Sequence, residues 1–132
     1  MSDMGFNPEL IAGGTIYPFR FVVLSAAFTG VQSGAASKKI IGVTDGSVKS
    51  GIPGTTGNTV NAESGDQISL QPSLTVQVEA SAAVSAAAYL TADADGKAIT
   101  ATSNQTAFYL ALEAASAAGE IIRAYRVGPV IA

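Results

Sequence analysis

A chain of 132 residues with no cysteine and no histidine has no disulfide framework and lacks both the commonest general base and the commonest metal ligand. Its 13 % charged share and net charge of −3 leave no clustered Lys and Arg of the kind phosphate binding needs, so no direct nucleic-acid contact is expected. The length fits one domain, and a weakly charged surface rich in Ala, Ser, Thr and Gly is better suited to packing in an assembly than to standing alone in water.

The first eighteen residues, MSDMGFNPELIAGGTIYP, follow neither a helical nor a strand period. Pro8, Gly13, Gly14 and Pro18 keep them extended, while Phe6, Leu10, Ile11, Ile16 and Tyr17 are too apolar for a free polar tail. The expectation is an extended arm over 1–18, anchored by those five side chains on a partner surface, followed by a single β-rich domain over 19–132. The stretch RFVVLSAAFTGVQSGAAS imitates a secretory signal, but nineteen residues precede its arginine. Its unbroken apolar run, Phe21 to Leu24, is far below the ~20 residues of a membrane span. It reads as a buried strand, and no membrane partner is expected.

KKIIGVTDG is the next strand, with Lys38-Lys39 as its solvated edge. The following loop, SVKSGIPGTTGNTVNAESG, has neither the Gly-Lys-Ser/Thr of a phosphate loop nor the glycine spacing of a dinucleotide site. DQISLQP and SLTVQVEA come next, and the alternation through Ser73-Leu74-Thr75-Val76-Gln77-Val78 is the clearest half-buried strand in the chain. ASAAVSAAAY reads as a strand–turn–strand passage, and EAASAAGE as one helical turn.

YLTADADGKAITAT poses a choice between a cation loop and a turn. Counted from Asp93, the closing acid of a calcium loop falls on Asn104, and Ala101 stands where a ligand is wanted, so the pattern fails. Asp95-Gly96 suits a two-residue hairpin turn between Tyr89-Leu90-Thr91 and Ala98-Ile99-Thr100. AFYLALEA and EIIRAYRV close the set. Short strands separated by Gly-containing turns predict an all-β fold, a small β-barrel or sandwich.

A faint repeat runs through it. IIGVTDG with ESGDQISL, and LALEAASAAGEIIRA, each give an apolar strand, a connection, then Gly, an acid and a second apolar strand. Gly65-Asp66 corresponds to Gly119-Glu120, the pattern of two similar half-barrels.

Catalytic chemistry is missing. A serine nucleophile without histidine needs a desolvated lysine, and the lysines at 38, 39, 49 and 97 lie in polar or turn contexts. Glu79, Glu113 and Glu120 qualify as acid–base groups by type alone. Asn104-Gln105-Thr106 matches a glycosylation acceptor and reads as a turn. No catalytic residue, metal site or cofactor is expected, and the chain is not expected to be an enzyme.

The order KIIGVTDG, ESGDQISL, VEASAAVSAAAYLTADADGKAITAT and YLALEAASAAGEIIRAYRV resembles the small capsid decoration, or cement, proteins of tailed bacteriophages. The likeness covers about residues 38 to 127 and is most specific from Val78 to Arg123. It rests on an alanine-rich entry, an Asp-x-Asp-Gly-Lys hairpin, a Leu-Glu-Ala-Ala segment and a Gly-Glu-led last strand. The family often has Gly just before the Tyr-Leu strand, where this chain has Ala86-Ala87-Ala88. The resemblance implies a structural virion protein on the outer surface of the capsid, binding the major capsid protein at inter-capsomer sites, often as a homotrimer. A small β-barrel module recognising carbohydrate or a tail component is the alternative, and would call for exposed aromatic clusters in a chain without tryptophan.

Overall fold

Alternation sets the strands of the computed structural model, which describes residues 10–48 and 60–132. Val76 and Val78 are buried while Thr75 and Gln77 are exposed, the two-residue period of a half-buried strand. Among the described residues nine strands follow in chain order: β1 (Ile11–Ala12), β2 (Phe21–Ala26), β3 (Thr29–Gln32), β4 (Ile40–Val43), β5 (Thr75–Glu79), β6 (Tyr89–Ala92), β7 (Ala98–Thr100), β8 (Thr106–Ala111) and β9 (Ile121–Ile131). They form two sheets, ordered β1-β3-β2-β4 and β5-β9-β8-β6-β7. Every named pairing is antiparallel except β1 beside β3. The fold is all-β and sandwich-like. It is not one closed barrel, although a single parallel bridge, Ala80 to Ala98, curls the second sheet toward its own far edge.

Two cores result. The larger unites Val76, Val78, Leu90, Phe108 and Ile122 of the second sheet with Phe21, Ile40 and Val43 of the first. The smaller holds Leu10, Ala12, Ile16, Val22, Ala62, Ile68 and Leu70. β2 serves both, because successive side chains of a strand point to opposite faces: Phe21 enters the larger core and Val22 the smaller.

No helix occurs among the described residues, so the helical turn expected in EAASAAGE is corrected. Ala115 instead exchanges main-chain bonds with Val84, each at 3.0 Å. A segment this short is well below the length at which alanine propensity alone sustains a helix, and a long-range bridge wins. The hairpin at Asp95-Gly96 is also longer than expected. Ala92 pairs with Ala98, and Asp93 N–H donates to Lys97 O at 2.8 Å, which leaves a three-residue loop with Gly96 in the left-handed region at φ +76°.

The repeat extends through the backbone. Among the described residues, the eight with positive φ fall into four pairs. Phe19 and Ala87, Phe28 and Gly96, and Ala36 and Asn104 are each 68 residues apart, and Gly65 at +92° matches Gly119 at +94°. Hydrogen bonds follow the same map. Ala12 N–H donates to Asp66 O, as Ala80 N–H does to Glu120 O, both at 2.8 Å. Gly65 N–H reaches Ala12 O at 2.9 Å, as Gly119 N–H reaches Ala80 O at 2.8 Å. Asp45 N–H donates to Ser69 O at 3.0 Å, as Leu112 N–H does to Arg123 O at 2.9 Å. Ile16 bridges Ala62 as Val84 bridges Ala115. The chain is thus two copies of one backbone plan, with Ala87 supplying in the second copy the left-handed turn that the Ala86-Ala87-Ala88 run left open.

Candidate interaction surface

The carboxylates singled out by type all serve the scaffold. Glu79 pairs with Arg20 at 3.5 Å and Lys97 at 3.4 Å. Glu113 accepts from Arg123 N–H at 2.9 Å and from its Nε–H at 3.0 Å, and these bonds hold the carboxyl below its ordinary value. Glu120 is held below its own by the hydroxyl and main-chain N–H of Ser116, two bonds that close the turn before β9. Among the described residues no group of three or more acids forms a place for a metal ion. Asp93 Oδ1 instead accepts from the main-chain N–H of Asp95 at 2.8 Å and of Lys97 at 2.9 Å, so this acid organises the turn. Burial raises its pKa, but bonds from Ser81, Lys97 and Asp95 outweigh that and leave it lowered.

Asp45 is the most heavily bonded acid. Its carboxylate accepts from the hydroxyl and N–H of Ser47, the hydroxyl of Ser69, and Asn61 Nδ2 at 3.2 Å. Burial pushes its pKa up, and these bonds prevail and hold it down. The carboxylate thereby ties residues 45–47 to residues 61–69.

Apolar surface is the more telling feature. Leu10, Leu24, Ala27, Phe28 and Ile41 line an open groove of about 440 Å³, and Phe28, at the β2–β3 hairpin tip, is 75 % exposed. A second apolar row runs across the outer face of the other sheet, where Tyr89 lies opposite Leu110 and Leu110 opposite Tyr125. Tyr89 is 42 % and Tyr125 41 % exposed. Scattered apolar residues on a surface need no explanation, but contiguous ones mark contact sites.

Of the expected anchors, Leu10 and Ile16 lie inside the chain's own smaller core. Ile16 exchanges main-chain bonds with Ala62 at 2.8 and 3.2 Å, and Ile68 N–H donates to Leu10 O at 2.9 Å. Their side chains fill the first half as Val78 and Val84 fill the second. Ile11 and Tyr17 face outward, with the Arg20 guanidinium 5.2 Å from the Tyr17 ring centroid. Phe6 and the loop at 51–59 lie outside the described residues. Sequence reasoning missed Phe28 and the Tyr89–Leu110–Tyr125 row. A large aromatic in a turn of small residues, AAFTG, was the available signal for the first.

No protein-family model matches the chain, and no curated protein matches it. Among solved structures it is similar to the N base of the head fiber gp8.5 of bacteriophage phi29. The TM-score is 0.55 at 21 % identity, over 92 % of this chain and 92 % of that one. At that identity the likeness is one of fold.

Proposed function

We propose that this protein is a structural, non-enzymatic component of a phage virion, a decoration or cement protein seated on the outside of the head. The observation that carries the reading is the fold shared over nearly the full length of both chains with the base of a phage head fiber. The motif order from Val78 to Arg123 supports it independently, as does the use of Glu79, Glu113 and Glu120 in structural contacts. The partner in this reading is the major capsid protein at inter-capsomer sites, with self-association as a homotrimer. Among the described residues, Ile11 and Tyr17 are the anchors of the 1–18 segment that remain open to that partner.

The mechanism is mass action. A ligand that binds only the assembled shell stabilises it by RT ln(1 + c/Kd) per site at free concentration c, an amount that grows with affinity and concentration, and linked copies add avidity. The test is co-sedimentation with heads stripped of this protein, followed by heating. Saturable binding and a higher temperature of DNA release are expected. Absence of binding to stripped heads refutes the proposal.

A further inference from the structure

The two halves of the chain meet through one junction, and the residues that correspond to its two complementary surfaces recur, exposed, each in the other half. We infer that copies of this chain join head to tail, the Tyr89–Leu110 face of one seating on the Leu24/Phe28 groove of the next.

The internal junction is explicit. Phe21 and Val43, opposite one another on β2 and β4, are fully buried in the larger core, and the Phe21 ring lies 5.5 Å from that of Tyr109. Around them, Phe21 N–H donates to Gly96 O at 2.8 Å, Glu79 N–H to Phe19 O at 3.0 Å and Ala36 N–H to Ala92 O at 2.9 Å. The first half therefore presents the Phe21–Val43 row, and the second receives it on Glu79, Ala92 and Gly96.

The repeat places each of these in the other half. Phe21 and Val43 correspond to Tyr89 and Leu110, which are paired in the same way on β6 and β8. Glu79, Ala92 and Gly96 correspond to Ile11, Leu24 and Phe28. The presenting row is fully buried in the first half, yet Tyr89 is 42 % exposed in the second. Ala92 is fully buried, yet Leu24 is 42 % exposed. Both vacant surfaces are apolar, and they are different patches. Mating them is a heterologous contact, which closes to a ring or continues as a filament according to its rotation.

One difference fixes the chemistry of the outer junction. In the first half Ile11 N–H already donates to Phe28 O at 2.9 Å, so no neighbouring main chain enters between them as residues 19–21 do between Glu79 and Gly96. Contact there is made by side chains. Accordingly Ile11, Leu24 and Phe28 are large and apolar where Glu79, Ala92 and Gly96 are acidic or small. The inference rests on the fold and its repeat and does not depend on attachment to a phage head.

The chain has no cysteine, so single cysteines report cleanly. Tyr89→Cys and Phe28→Cys proteins, mixed and oxidised, are expected to give a disulfide-linked species of twice the chain mass, and neither alone is expected to do so. Phe28→Asp keeps the hairpin, since Asp adopts positive φ more readily than Phe. Sedimentation equilibrium should show its self-association weakened by about tenfold or more, with the unfolding midpoint of the dilute, monomeric chain unchanged. Tyr89→Asp should do the same from the other surface. A full-length chain that stays monomeric at millimolar concentration overturns the inference. So do a Phe28→Cys protein that links to itself as well as to its mixture partner, and unchanged association in both Asp variants. Head binding measured on the same variants separates failure here from failure of the virion reading.

Discussion

Replacing Ile16 and Ile11 by alanine, one at a time, tests whether residues 10–17 are part of the folded unit or an attachment to it. The chemistry of the two substitutions is identical and the environments are opposite. Ile16 is fully buried among Leu10, Val22, Ala62 and Ile68, whereas Ile11 is 44 % exposed. Truncating a fully buried isoleucine costs about 2–5 kcal/mol through lost transfer energy and the cavity left behind. The exposed position should lose less than about 1 kcal/mol. Against a total domain stability of about 5–15 kcal/mol, the first is a large fraction and the second is not.

Because β2 places Phe21 in one core and Val22 in the other, damage to the smaller core should be felt by the larger. Urea unfolding followed by far-UV circular dichroism and by tyrosine fluorescence should therefore give one coincident transition for Ile16→Ala, shifted well below that of the parent. Deleting residues 1–17 removes Leu10, Ala12 and Ile16 together, with their main-chain bonds to Ile68, Asp66 and Ala62, and should unfold the first half and, through β2, the second. Equal midpoints for the two alanine variants, or a deletion with native stability, refutes the assignment of these residues to the core.

The Asp45 carboxyl has a lowered folded-state pKa, so its contribution to stability is present above its unfolded value of about 4 and is lost as pH falls through the folded one. Asp45→Asn should be less stable near neutrality and show a flatter loss of stability below about pH 4 in acid titrations of the urea midpoint, and a parallel curve for variant and parent argues against it. Gly96→Val should destabilise by about 1–3 kcal/mol, since a β-branched residue is strained at φ +76° and its Cβ would lie 2.8 Å from Gln32 Cγ. Adjacent alanines should respond with opposite signs: Ala87→Gly, at φ +69°, should be neutral or stabilising by up to about 1 kcal/mol, and Ala86→Gly destabilising by about 0.5–1 kcal/mol, both read by thermal unfolding.

Local chemistry was legible in the sequence, and long-range docking was not. The alternation around Val76 and Val78 marks a strand because one face of it must be buried, and Gly96 marks a turn because few residues tolerate its φ. The two Gly-acid dyads revealed the repeat for the same reason, since Gly65 and Gly119 share a conformation that favours glycine. The other positive-φ pairs were hidden, because Phe19, Phe28, Ala36, Ala87 and Asn104 stand in them in place of glycine. Leu10 and Ile16 looked like anchors for a partner because nothing in the amino-acid order tells an apolar residue that fills its own core from one that seeks another's.

The interaction surface was hidden by the same limit. Phe28 and Gly96 hold the same backbone conformation at the same place in the two halves, one under 19–21 and the other open to solvent. A glycine is what a covered position requires, because a Cβ at Gly96 would lie 3.3 Å from Phe21 O. A phenylalanine held 75 % exposed at a strained φ is disfavoured by solvent and by backbone alike. Fold stability does not account for that choice, whereas the proposed head-to-tail contact would. The contrast becomes visible only when the halves are set in structural register, and then it separates the side chains buried in the fold from those on which the proposed head-to-tail contact rests.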